Sequence, residues 1–142
     1  MSQSWLSQSV SSSFLEAFRR CDPATETKDS KHFMAFPAIV CAAFSAEVGL
    51  KTMLERLGIT AKGHDLHSLL MKLPGEMQYA IFEATGMTME DFSSQLAHSR
   101  NAFVDWRYIY EKNGENFISI KFLGIFASAV ETVALSTKDI AL

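Results

Sequence analysis

The sequence predicts an all-α fold, a single-domain helical bundle with three long helices and several short ones, and three observations carry that reading. Apolar side chains recur at alternating three- and four-residue steps along two long segments. Three prolines and seven glycines in 142 residues leave few turns, too few for a protein of many short strands. No polar–apolar alternation bounded by hairpin turns is present, nor a repeat at a fixed period. With 48% hydrophobic and 20% charged residues the chain can bury a full core. One domain over 1–142, with its core at about 36–135, is expected rather than disorder.

Each element has its own signal. Ser13-Phe-Leu-Glu16 reads as a capping box, so one or two N-terminal helical pieces are expected to turn Trp5, Phe14 and Phe18 to the core. Asp22 to Lys31 is polar, holds Pro23 and reads as a loop. The first seam runs Phe36, Ile39, Ala43, Ala46, Leu50, Met53, Leu57, with Pro37 in the first turn and Gly58 as its stop. Asp65 to Leu73, capped by Asp65 and stopped by Pro74-Gly75, reads as a short helix; Glu76 to Ala84, closed by Gly86, reads as another. The second seam runs Met89, Phe92, Leu96, Ser99, Phe103, Trp106, Tyr110 and predicts one long helix. Thr88-Met-Glu-Asp91 stands before it as a capping box and Asn113-Gly114 ends it. Phe117 to Thr137 is apolar on most of its circumference and should be the most central helix. Lys121 and Glu131 interrupt it, which fits a buried core helix and not a membrane span.

A net charge of −3 argues against a whole-domain grip on nucleic acid but leaves room for a local basic pocket. Cys21 and Cys41 have no CxxC spacing and sit among apolar residues, so they read as reduced, structural thiols. Met1 to Leu6 carries no basic cluster before an apolar run, so no secretory signal is expected; the location expected is cytoplasmic, with no membrane.

Chemistry, if any, is densest on the second seam. Arg100, Val104, Arg107 and Glu111 fall on one stripe of that helix, with Trp106, Tyr108 and Tyr110 crowding the same turns. Two guanidiniums held there form either a pocket for a phosphate or carboxylate, or a solvated face with an Arg107–Glu111 pair. Glu47, Lys51 and Glu55 stand at four-residue steps, either as an exposed ladder or with Glu47 turned inward to orient an arginine. His64 and His67 have a spacing that can share a metal, but Asp65 is the only local third ligand and His98 a distant one. Neither a metal nor a cofactor is expected. No nucleophile motif, glycine-rich phosphate loop or HExxH is present.

A helix with Glu47-Val-Gly-Leu-Lys-Thr-Met-Leu, a loop with His64-Asp-Leu-His-Ser-Leu and a later helix with Arg100-Asn101 together resemble the HEPN superfamily. These are small helical bundles of prokaryotic phage-defence and toxin–antitoxin systems and of some RNA-processing proteins. The likeness covers roughly residues 36–135 and rests on short motifs. It implies a homodimer, and in many members a metal-independent endoribonuclease built on an arginine, a polar residue and a histidine separated from the arginine by four to six residues. Arg100 and Asn101 match the first two. Asp105 stands where the histidine would be at the shortest spacing, Arg107 at a longer one, and no histidine follows His98. An ordinary aspartate is a poor general acid at neutral pH and repels phosphate.

The function expected is therefore non-catalytic binding of a partner protein, or of an RNA or nucleotide phosphate, through Arg100, Asn101, Arg107, Tyr108, Glu111, Glu47, Lys51 and His64. Two alternatives stand beside it. One is an endoribonuclease with a noncanonical acid or base, using Arg100, Asn101, Asp105 and His98, or His64 brought in by the fold. The other is an immunity-type or purely structural interaction protein.

Overall fold

The structure, a computed structural model, describes residues 4–21, 35–105 and 119–137. Among the described residues seven helices follow in order: α1 (Ser4–Cys21), α2 (Ala35–Arg56), α3 (Leu66–Met71), α4 (Gly75–Thr85), α5 (Met89–Ser99), α6 (Ala102–Asp105) and α7 (Ile120–Ser136). No strand occurs among the described residues, and the bundle is all-α as the periodicity predicts. The polar stretch Asp22 to Lys31 and the Asn113-Gly114 stop lie outside the described residues.

The frame is a mutual packing of α1, α2 and α7, with α4 laid against α7. On α2 the seam residues Ile39, Ala43, Ala46, Leu50 and Met53 are all buried. Gly58 ends the helix at φ 73°, the left-handed geometry that a side chain disfavours. By length and composition Phe36–Arg56 would also pass for a membrane span, yet 67% of that window is buried inside the bundle. Ser119 caps α7 by accepting from Phe122 N–H, and the helix buries Leu123, Phe126, Ala127, Val130 and Val133, as its composition predicts. Arg56 Nη1 donates to Ala134 O at 2.7 Å and satisfies a last-turn carbonyl of α7.

The helices approach closely because the residues between them are small. Ser11 Oγ donates to Ser45 O and Ser45 Oγ to Ser11 O, each at 2.8 Å, so two buried hydroxyls tie α1 to α2. At Gly49 an added Cβ would lie 2.6 Å from Val130 Cγ1 and 3.1 Å from Ser11 Oγ. Only hydrogen fits where α1, α2 and α7 meet.

Four expectations change. The N-terminal region is one continuous helix, so Ser13 lies mid-helix and caps nothing. Phe18 faces the core, whereas Trp5 is 67% exposed, one turn beyond the packed part of α1. The second seam is not one helix: α5 stops at Ser99, and α6 resumes at Ala102. The cause is a diverted carbonyl. Arg100 O accepts Leu66 N–H at 2.7 Å, and Val104 N–H turns to Asn101 O instead. Lastly, Met89, the first seam position, is an exposed residue of the first turn. The caps at Asp65, Thr88 and Gly86 are where the sequence places them.

Replacing glycine by alanine inside a helix normally gains up to about 1 kcal/mol, but overpacking a tight core costs about 1–3 kcal/mol. The stiff, fully buried Val130 cannot yield at Gly49. Gly49→Ala should therefore lower stability by about 1–2 kcal/mol in urea unfolding at an unchanged m-value. Gly75→Ala, with open space around its Cβ, should be neutral or stabilising in the same assay.

Candidate functional site

Glu47 is the site's least expected feature. It lies on the inner face of α2, only 2% exposed. A carboxylate there loses its hydration and needs hydrogen-bond partners to be tolerated. Two supply them. Lys51 Nζ, one turn on, donates to Oε2 at 3.2 Å, and His64 Nδ1 lies 2.8 Å from Oε1. The contact holds the ring by Nδ1 and leaves Nε2 as the nitrogen that does not face Glu47. The His64 ring sits 5.5 Å from that of Phe103, itself 5.2 Å from Phe44, and about half of the imidazole remains exposed. Glu47 does turn inward, but its partners are Lys51 and His64, not an arginine; Glu55 stays exposed.

Next to this pair is a second one. Arg100 Nε donates to both Asp65 oxygens, at 3.1 and 2.9 Å, and its Nη2 lies 2.8 Å from Oδ2. Asp65 is also the N-cap of α3, accepting Ser68 N–H at 3.1 Å. Burial alone would raise the Asp65 carboxyl, but the Arg100 guanidinium and the Ser68 and His67 amides outweigh it and hold the pKa below its ordinary value. Side chain and backbone act together here, because Arg100 O takes the Leu66 amide. A six-residue helix such as α3 could not persist alone. The Asp65–Arg100 ion pair and the Leu66 N–H bond to Arg100 O tie it to the end of α5.

The structure thus joins Glu47, Lys51, His64 and Arg100 into one region and adds Asp65, which spacing identified only as a cap and a weak metal ligand. His64 and His67 diverge, the first onto Glu47 and the second toward α4 and α5. No group of three His, Cys, Asp or Glu side chains suited to a metal occurs among the described residues. His98 is exposed on the last turn of α5, and Asn101 is exposed in the break. Asp105 ends α6, and Arg107, Tyr108 and Glu111, with Trp106 and Tyr110, lie outside the described residues. The four formal charges brought together are two negative and two positive, so they cancel. Such a cluster has little net pull on an anion.

Comparison of the chain with protein-family models, with curated proteins and with solved structures gives no match.

Since the folded pKa of Asp65 is below its unfolded value of about 3.8, its contribution to stability is complete above that pH. It disappears as the pH falls through the depressed folded value. Asp65→Asn should accordingly lower stability at neutral pH and flatten the acid limb of the stability curve, measured by denaturant midpoints between about pH 2 and 7.

Proposed function

We propose that this protein is a HEPN-like binding module that has no ribonuclease chemistry and recognises a partner protein, in a defence or toxin–antitoxin setting. One observation carries the reading. Arg100, the residue that would grip a scissile phosphate, is held through Nε and Nη2 by Asp65. A phosphate arriving there must displace a carboxylate already in chelating geometry, and that carboxylate also caps a helix. The missing imidazole after Arg100 points the same way.

A second reading rests on His64. Its ring is oriented by a buried carboxylate and is partly open to solvent, the arrangement of a general base. Its neighbour Asp65 touches Arg100, so an endoribonuclease with an imidazole supplied from the loop is the competing function. The homodimer implied by the resemblance is retained as part of the proposal, with the segment from Arg100 to Glu111 near the two-fold axis.

Two measurements test these readings. Purified protein should cleave a mixed-sequence RNA at neutral pH no faster than Arg100→Ala or His64→Ala. Cleavage lost on either substitution would overturn the binding reading, since one general acid or base contributes about a hundred- to ten-thousand-fold. Sedimentation velocity at high micromolar concentration should give a dimer; a monomer would remove the two-fold interface.

A further inference from the structure

His64 is held on one edge and open on another. Its Nδ1 lies 2.8 Å from Oε1 of Glu47, a carboxylate only 2% exposed. Lys51 Nζ fixes the other oxygen, Oε2, at 3.2 Å, so the carboxylate is anchored from both sides. Phe103, half-buried and backed by Phe44, packs beside the imidazole at 5.5 Å between ring centroids. About half of the side chain stays exposed all the same, and Nε2 is the ring nitrogen turned away from Glu47. A buried carboxylate is a poor means of stabilising a bundle, because a well-packed apolar side chain of similar volume avoids the loss of hydration. It is an effective means of fixing an imidazole in one orientation and one tautomer.

We infer that Glu47 and His64 form a nucleophilic dyad that takes the acyl group of an uncharged activated ester, an aryl ester or a thioester, onto His64 Nε2 and passes it to water. The inference goes beyond both readings above, because the imidazole is itself the attacking group and no phosphate takes part. Nδ1 carries the ring proton toward Glu47, and the Nε2 lone pair adds to the acyl carbon. The C–O or C–S bond breaks, the phenolate or thiolate leaves with its electron pair, and the Nδ1 proton moves to Glu47. Water then adds to the acyl carbon. The imidazole leaves with the electron pair, recovers its proton from Glu47, and the proton lost by water goes to the departed anion. One ester and one water thus give one carboxylic acid and one phenol or thiol. The surroundings select the substrate class. Glu47 and Asp65 cancel Lys51 and Arg100 in charge, so an ionised substrate has no net attraction to the site. Phe103 offers an apolar flank beside the ring for an aryl or alkyl part. An imidazole without oxyanion donors attacks only acyl groups whose leaving group departs as a stabilised anion, which excludes amides and alkyl esters.

The test is release of 4-nitrophenolate from 4-nitrophenyl acetate by the full chain at neutral pH, against free imidazole at the same concentration. The protein should be faster by about tenfold or more, a modest share of what one positioned acid or base contributes. His64→Asn is the informative variant. Its amide can donate to Glu47 in place of Nδ1 and keep the contact, but it has no nucleophilic nitrogen. The urea midpoint should therefore stay close to that of the unmodified protein while the excess rate disappears. Glu47→Gln should lower the excess by about tenfold or more, and if that variant does not fold by circular dichroism, His64→Asn decides alone. His67→Gln, whose ring lies toward α4 and α5, should leave the rate unchanged. Mass spectrometry of the acid-quenched, digested protein should place the acetyl group on His64. A rate no greater than that of free imidazole, an excess that survives in His64→Asn, or acetyl groups on lysine or cysteine instead of His64 overturns the proposal. Faster turnover of the ionised ester mono-4-nitrophenyl succinate would contradict the uncharged substrate class. Ester hydrolysis without RNA cleavage would leave both the dyad and the binding reading standing. RNA cleavage beside ester hydrolysis would reject the binding reading alone, and absence of both activities would reject the dyad alone.

Discussion

A single buried carboxylate sets the terms for one side of this bundle. Glu47 sits on the inner face of α2 where water cannot reach it, and desolvation of an unpaired carboxylate would cost several kcal/mol. Lys51 comes from the same helix, so it satisfies one oxygen without constraining anything distant. His64 is different. It is 17 residues away in sequence, and to reach Oε1 it draws the segment after Gly58 back across α2. That placement brings the next residue, Asp65, against Arg100.

From there one geometric consequence leads to the next. Asp65 caps α3 and chelates Arg100, and the Arg100 carbonyl, taken by Leu66 N–H, is lost to the helix that contains it. Hence α5 ends where it does, and the chain turns before α6. With α3 held by the clamp and α4 packed on α7, a groove remains between α4 and α5. Phe92, on Phe122 and Phe126 of α7, keeps the base of that groove shut. Charged groups thus do structural work here, while the groove between α4 and α5 is largely apolar.

This division explains what the sequence did and did not disclose. Elements governed by local rules were legible: the seam of α2, the left-handed glycines after α2 and α4, the caps at Asp65 and Thr88, and the apolar α7 all follow from spacing within a turn or two. The pairs that build the site join residues 17 and 35 positions apart, and periodicity contains no information about such partners. The unbroken seam from Met89 to Tyr110 concealed the break at Arg100, because a carbonyl captured by another helix leaves no trace in the hydrophobic pattern. Ser13 to Glu16 has the residues of a capping box without being a helix start, since packing against α2 and α7 carries α1 straight through it. The groove was hidden for a related reason: Tyr79 and Phe82, or Met89 and Phe92, have the three-residue spacing of a core stripe, and only the tertiary arrangement leaves part of each stripe uncovered.

The central claim is that Arg100 is a structural partner of Asp65 and not a residue poised for phosphate. A double-mutant cycle of Asp65→Ala and Arg100→Ala, read by urea unfolding at neutral pH, tests it most directly. The two losses should not be additive, with a coupling of at least about 1 kcal/mol that vanishes below the range in which Asp65 is ionised. Additive losses, to within about 0.5 kcal/mol, would mean that the two side chains do not hold each other in solution, and Arg100 would be available for a ligand after all.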